Sequence, residues 1–325
     1  MNNESIAAFL ARFPSTLEHE PLSRHTNFRI GGPARLFFSA TTADELVRAV
    51  TTARDLEIPF YLFGAGSNVL ASDDGYDGVV IQAAHRGLTI DGPTVRAESG
   101  AITSVVARQS VEAGLTGFEW AVGVPGTIGG AIYGNAGCYG GETGSSITEV
   151  DALRLSDGVR LTLAGAACGF SYRDSLFKHE PYVILGCTLT LAPSLDLQAS
   201  RSRMEEIMRL RKEKQPLEQS SAGCIFKNFT YTDDSALEIL KRQIDDVPST
   251  MLANKSLGAG WLVDQVGMTG KQIGDAVVST KHGNFFLNNG SARAQDMLAL
   301  ISLVKMKVRD EFGIELHEEV QLLGF

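Results

Sequence analysis

Between Gly114 and Gly141 the chain reads GLTGFEWAVGVPGTIGGAIYGNAGCYGG, ten glycines in 28 residues, interleaved with Val, Ile, Ala and Trp. Flexible linkers pair glycine with Ser and Gln and avoid large apolar side chains. This stretch is therefore expected to be buried, with its glycines marking where backbone comes close to another body. A flat cofactor lying against the main chain meets that requirement best. A second glycine turn, Gly64-Ala65-Gly66-Ser67-Asn68, follows the apolar run 59–63, which reads as a buried strand. Backbone N–H groups left open in such a turn form an anion nest, so the turn is a candidate for binding phosphate.

A length of 325 residues suits two or three domains. With 44% hydrophobic and 21% charged residues the chain is globular, and a net charge of −9 argues against a nucleic-acid surface. Small-molecule chemistry is expected instead. The start, MNNESIAAFLARF, reads as an amphipathic helix whose early charge is acidic, unlike the basic flank of a signal peptide. No apolar run reaches the length of a membrane span. Cys138, Cys168, Cys187 and Cys224 show neither C-x-x-C pairing nor zinc-ligand spacing. These readings set the expectation of a cytoplasmic protein with no structural metal, no membrane insertion and no nucleic-acid partner.

Along the chain, 23–33 is a polar loop closing on Gly31-Gly32-Pro33, and 34–39 is strand-like. Thr42 and Glu45 have the spacing of a capping box opening a helix to about Leu56. With 59–63 this makes a small βαβ unit ending on the glycine turn. The third glycine of the dinucleotide fingerprint G-x-G-x-x-G is replaced by Val69, which demotes a Rossmann fold. Strand patterns dominate from 78 to 191, notably 79–81, 94–97, 149–155 and 182–191, with one helix near 102–113. A long helix over 197–212 precedes Pro216, and Met297, Ile301, Val304, Val308 and Phe312 form a helical stripe read as core. A short strand over 319–323 closes the chain.

Three polar clusters stand out. In Tyr172-Arg173-Asp174-Ser175-Leu176-Phe177-Lys178 an arginine lies between an aromatic residue and an aspartate, suited either to gripping a carboxylate or phosphate or to a surface ion pair. In Ser220-Ser221-Ala222-Gly223-Cys224-Ile225-Phe226-Lys227-Asn228 the cysteine alone would be a buried structural thiol. In Glu315-Leu316-His317-Glu318-Glu319-Val320 the charges alone read as a solvated edge.

Taken together, NFRIGGPA, FGAGSNVL, GFEWAVGVPGTIGGAIYGNAG, YRDSLFK, SAGCIFKN, STKHGNFFLNNG and FGIELHEEVQLLG, in that order from about 23 to 324, closely resemble the UDP-N-acetylenolpyruvoylglucosamine reductases, flavoenzymes of bacterial peptidoglycan precursor synthesis. The resemblance implies an α+β fold: a two-domain FAD-binding module of the vanillyl-alcohol-oxidase type plus a third α+β substrate-binding domain. The expected boundaries are 1–77, 78–196 and 197–325, the C-terminal segment returning to the active site. It implies non-covalent FAD, NADPH as hydride donor, a UDP-sugar substrate and a monomer.

Residue by residue, the resemblance assigns flavin binding to Asn27, to Gly64, Ala65, Gly66, Ser67 and Asn68, and to Gly123, Val124, Pro125, Gly126, Thr127, Gly129 and Gly130. Tyr172, Lys214, Asn228 and Asn284 fall at substrate-contacting positions. Arg173 and Glu319 match the catalytic arginine and carboxylate. Cys224 stands where most members carry a proton-donating serine; a thiol, with an ordinary pKa near ~8.5, is protonated at neutral pH and competent for that task. Implied chemistry is ping-pong: NADPH reduces the flavin and leaves, hydride then passes to C3 of the enolpyruvyl ether, Arg173 and Glu319 act on the developing enolate, and Cys224 protonates C2. One departure is an insertion over 229–257, read as a helix at 237–241 followed by a loop at 249–255.

Overall fold

The opening segment becomes a helix because Asn2 supplies the acceptor its first turn lacks, with Oδ1 taking the N–H of Ser5 at 2.7 Å. This helix, α1 (Asn3–Arg12), buries Ile6 and Phe9. The computed structural model describes residues 2–244 and 246–325. Contacts divide them into two units, one of 1–20, 34–66 and 76–213, the other of 21–33, 67–75 and 214–325.

The first unit has two cores. A four-stranded sheet runs in the order Leu17–Pro21, Pro33–Ala40, Tyr76–Ala83, Phe60–Phe63. Its last two pairings are parallel, so the expected βαβ unit closes around the central strand Tyr76–Ala83. The crossover helix α2 (Ala43–Asp55) buries Leu46, Ala49, Val50 and Ala53 against this sheet's core. Its capping box is only half formed as expected. Thr42 Oγ1 accepts from Glu45 N–H at 3.0 Å, whereas Glu45 Oε2 turns to the N–H and hydroxyl of Thr41, both at 2.8 Å.

A second, five-stranded antiparallel sheet runs Val159–Ala164, Ile147–Arg154, Tyr182–Thr190, Thr94–Glu98, Leu88–Asp91. Alternate residues such as Val95, Ala97, Val150, Ala152, Cys187 and Leu189 fill its core. That core also takes Val106 and Ala107 from α3 (Thr103–Glu112), Ile128 and Ile132 from α4 (Ile128–Tyr133), and Ile207 from α5 (Leu197–Lys214). The glycine-rich stretch supplies Phe118, Trp120, Ala121 and Val122 to it, so most of its apolar residues are buried as expected, while Gly117, Pro125, Gly130 and Gly140 are exposed. Helix α4 was not anticipated, because Gly129 and Gly130 interrupt its apolar period.

In the second unit, the insertion is a packed substructure. The pairing Phe229↔Leu257 and Thr230↔Ser256 closes its base. Within it α6 (Glu238–Gln243) buries Leu240 beside Leu237, and both join the core containing Val308 and Phe312. Residues 249–255, expected as loop, begin with a short helix, α7 (Ser249–Ala253), whose single turn is too short to show a helical period; Met251 and Leu252 pack against the core. Helices α8 (Ala259–Gln265) and α9 (Ala294–Phe312) share a core with the three-stranded sheet of 272–273, 276–278 and 286–288. The stripe Met297, Ile301, Val304, Val308 and Phe312 is buried there, as its spacing implied. Asp73 caps α9 from a distant loop, accepting the N–H groups of Ala294 and Gln295 at 2.9 and 3.2 Å. The terminal strand, expected from 319, is Gln321–Leu323 and pairs in parallel with Val69–Ala71.

Candidate active site

In the first unit the two glycine segments meet. A Cβ on Gly64 would lie 2.6 Å from Thr127 Oγ1, so only glycine permits this approach. Gln82 Nε2 fixes the turn by donating to Gly64 O at 3.1 Å. Thr127 caps α4, its Oγ1 accepting the Gly130 N–H at 3.3 Å. The N–H groups of Ile128 and Gly129 donate to Ala101 O and Ser99 O, both at 2.8 Å, pinning the start of the helix. Gly126, at φ +103°, makes the bend before it. Val124 is half-buried, while Pro125 and Gly130 are exposed. A Cβ at Gly130 would find Thr127 Oγ1 as its nearest neighbour, at 3.6 Å. The exposed backbone at Pro125 and Gly130 thus lies beside the Gly64 turn, while the N–H groups that open α4 are already taken by Ala101 O, Ser99 O and Thr127 Oγ1.

The first polar cluster, Tyr172–Lys178, is latched to the strand and loop that follow α4. Arg173 has φ +54°, left-handed backbone that few side chains adopt. Arg173 Nη2 donates to Gly137 O at 2.9 Å, and its guanidinium lies 5.3 Å from the centre of the Tyr172 ring. Asp174, the residue expected as a possible ion partner, faces His179 at 2.9 Å. Cys138 lies near Arg173 and Arg211; burial pushes its thiol up, against the opposing pull of those two cations. Arg211 of α5 also packs over Gly123, which a side chain at that position would obstruct. No local sequence pattern links Gly137, Cys138 and Arg211 to this loop; Arg211 read only as one of the basic residues of 201–214, suited either to attracting diphosphate or to a solvated helix face.

In the second unit Cys224 and Glu319 fall on neighbouring extended segments. Glu319 N–H donates to Ile225 O at 2.7 Å, and Phe226 pairs with Glu318. Cys224 itself pairs with Phe285 on its other side. Asn284, buried to 2% exposure, holds this segment with its whole amide: Oδ1 accepts from Phe226 N–H at 2.9 Å and Nδ2 donates to Phe226 O at 2.8 Å. Asn228 Oδ1 accepts the Ala259 N–H that opens α8, at 3.2 Å. Asn68, last residue of the glycine turn, donates from Nδ2 to Glu319 O at 3.0 Å. Gln321 Nε2 reaches the same carbonyl at 3.1 Å. Asn27 and Lys214 are exposed, and Ser67 is half-buried. Gln321 was missed by the sequence reading.

Residues 34–164 match the model of an FAD binding domain, and residues 215–323 match that of the UDP-N-acetylenolpyruvoylglucosamine reductase C-terminal domain. The chain is therefore a flavin-binding oxidoreductase of α+β fold with a separate C-terminal domain after its FAD-binding domain. A UDP-N-acetylenolpyruvoylglucosamine reductase from Caldanaerobacter subterraneus is 36% identical over 307 residues, 94% of this chain and 93% of that protein. One from Clostridium novyi is 36% identical over 93% of this chain and 90% of its own. The crystal structure of UDP-N-acetylenolpyruvylglucosamine reductase from Thermus caldophilus superposes with a TM-score of 0.73 at 30% identity, covering 95% of this chain and 98% of that one. This chain belongs to the UDP-N-acetylenolpyruvoylglucosamine reductase family. Among the described residues no helix is long and apolar enough to cross a membrane, and no group of three or more His, Cys, Asp or Glu could hold a metal ion.

Proposed function

We infer that this protein reduces the enolpyruvyl ether of UDP-N-acetylglucosamine enolpyruvate to UDP-N-acetylmuramate with NADPH and non-covalently bound FAD, in peptidoglycan precursor synthesis. The observation carrying this reading is family membership over 94% of the chain, together with Cys224 and Glu319 on hydrogen-bonded neighbouring segments. When bound, FAD supplies the hydride-transfer chemistry that no side chain can. The backbone of Gly64, Ala65, Gly66, Gly123, Val124, Pro125, Gly126, Thr127, Gly129 and Gly130, with Ser67, Asn68 and Asn27, is assigned to holding it.

The remaining work falls to side chains. Hydride addition at C3 leaves negative charge at C2 and on the adjoining carboxylate, and Arg173 is assigned to stabilise that charge. Cys224 delivers a proton to C2 from its thiol. Glu319 orients the enolate. Tyr172, Lys214 and Asn228 are assigned to the UDP-sugar, and Lys214, exposed at the end of α5, suits a diphosphate. Asn284 was expected at the substrate; with both amide groups on Phe226, its assigned part is to hold the Cys224 segment in place.

The division 1–77, 78–196 and 197–325 is proposed as the domain plan; contacts instead group 21–33 and 67–75 with 214–325 and leave 197–213 in the first unit, and each of the three hydrophobic cores draws residues from across these boundaries. A monomer in the cytoplasm completes the reading. Purified protein should be yellow and should release all its flavin on acid precipitation. Under anaerobic conditions it should consume more than one NADPH per flavin only when the enolpyruvyl UDP-sugar is present. Colourless protein, or flavin retained in the pellet, contradicts the reading.

A further inference from the structure

The loop carrying Arg173 is tied to the end of α4 and the residues after it by four contacts. Ser175 Oγ donates to Tyr133 O at 2.8 Å, and Asn135 Nδ2 donates to Ser171 O at 2.8 Å. Arg173 Nη2 donates to Gly137 O at 2.9 Å. Lys178 places its ammonium 5.6 Å from the centre of the Tyr133 ring. Asn135 is itself fully buried and left-handed at φ +40°, and its Oδ1 accepts from Gly144 N–H at 2.9 Å, so the anchor side of these contacts is rigid.

Within the loop, Ser171 and Asp174 exchange backbone hydrogen bonds at 3.1 Å each, forcing a tight reversal at Tyr172-Arg173. That reversal puts Arg173 into the left-handed region at φ +54°. A non-glycine residue there is strained and persists only when its surroundings hold it. The Arg173 carbonyl receives the Lys178 ammonium at 2.6 Å, a short, charge-assisted bond. Lys178 is half-buried, with its ammonium shared between that carbonyl and the Tyr133 ring.

We propose that Lys178 is a positioning residue for the reaction: by binding the Arg173 carbonyl while resting on Tyr133, it holds the strained Arg173 backbone so that the guanidinium stays where negative charge develops on the substrate. The proposal rests on the role of Arg173 assigned above. Lys178 touches neither substrate nor cofactor in this account, and acts only through Arg173. Arginine at 178 can make the same charge-assisted bond and the same cation–π contact. Methionine keeps the length and the apolar stem but not the donor. Glutamine keeps polarity with a side chain too short to span to the carbonyl.

The test uses the intact flavin-loaded protein in anaerobic stopped flow, following bleaching by NADPH and recolouring by the enolpyruvyl UDP-sugar separately. Lys178→Met is expected to bleach at the wild-type rate, to recolour roughly 10–100-fold more slowly, the scale of weakening one stabiliser of developing charge, and to change the maximal rate more than the substrate concentration needed for half of it. Lys178→Arg is expected to restore recolouring to within about threefold of wild type. Recolouring at the wild-type rate in Lys178→Met, while Arg173→Ala is slow, overturns the proposal; a wild-type rate in Arg173→Ala overturns instead the role of Arg173 itself. If Lys178→Met fails to retain flavin, Lys178→Gln is read in its place, and wild-type recolouring there likewise overturns the proposal.

Discussion

Asn68 and Glu319, 251 residues apart in the chain, are joined by a 3.0 Å hydrogen bond from the Asn68 side-chain amide to the Glu319 carbonyl. Asn68 O accepts from Gln321 N–H at 3.0 Å, so the asparagine seeds the parallel pairing of 69–71 with 321–323. Glu319 is thereby held at both ends, its N–H on Ile225 and its C=O on Asn68. The role proposed for Glu319, orienting an enolate, calls for such a fixed backbone.

Replacing Asn68 with alanine should therefore disturb Glu319 as well as the glycine turn. With FAD supplied in excess, Asn68→Ala is expected to bleach with NADPH near the wild-type rate and to recolour with substrate about tenfold more slowly, in line with losing one positioning hydrogen bond. Equal slowing of both steps would show that the residue serves the flavin alone.

Arg173→Ala and Glu319→Gln should leave NADPH-driven bleaching near wild type and slow recolouring by substrate by ~10²-fold or more, the magnitude of losing one preorganised stabiliser of charge. If both steps slow together, the damage lies in flavin binding or folding and the assigned roles are wrong.

Cys224 as proton donor must be protonated at the moment of transfer, so recolouring should decline as pH rises through the range in which thiols ionise, near ~8.5 for an ordinary one. Cys224→Ser should keep activity and lose that decline. Cys224→Ala should slow recolouring by roughly 10²–10⁴-fold, the usual contribution of a positioned acid. An alanine variant that recolours normally would make this thiol a packing residue.

His282 predicts a pH dependence of stability. Its Nδ1 accepts the Asn284 N–H at 3.2 Å, and its ring meets Phe285, which pairs with Cys224, edge-on at 4.9 Å. Burial depresses its pKa below the ordinary histidine value, against an opposing pull from Asp264. A histidine with a lowered folded-state pKa contributes its full stability above its unfolded pKa, ~6.5, and loses that contribution as pH falls through the folded value. The melting temperature of the wild type should thus fall between pH 6.5 and pH 5 by on the order of 2 °C more than that of His282→Gln, whose amide oxygen can still accept. Parallel declines in the two proteins would remove His282 from the account.

What the sequence revealed depended on how local the signal was. The strands near 34–39, 59–63, 79–81, 94–97, 149–155 and 182–191 and helices α3, α5 and α9 were legible, whereas Leu17–Pro21, Leu88–Asp91, Val159–Ala164 and the short strands between 272 and 288 were not anticipated. Helix α4 was hidden because Gly129 and Gly130 erase its period, although Thr127 is an ordinary cap. Helix α7 was hidden because its five residues make barely one turn, too short for a period to show. At the site, motif order pointed to Arg173, Cys224 and Glu319, yet nothing local could show that Glu319 hangs on Asn68 and Ile225. The long-range pairing of two three-residue strands creates that relation. Lys178 stood in plain view within YRDSLFK, but its part depends on the reversal at Arg173, which only the backbone displays.

The most direct test of the account is two-step anaerobic mixing of the wild-type protein. Addition of one equivalent of NADPH should bleach the flavin, and subsequent addition of the enolpyruvyl UDP-sugar should recolour it fully, with one UDP-N-acetylmuramate formed per flavin. A flavin that bleaches with NADPH but stays bleached when the enolpyruvyl UDP-sugar is added would contradict it.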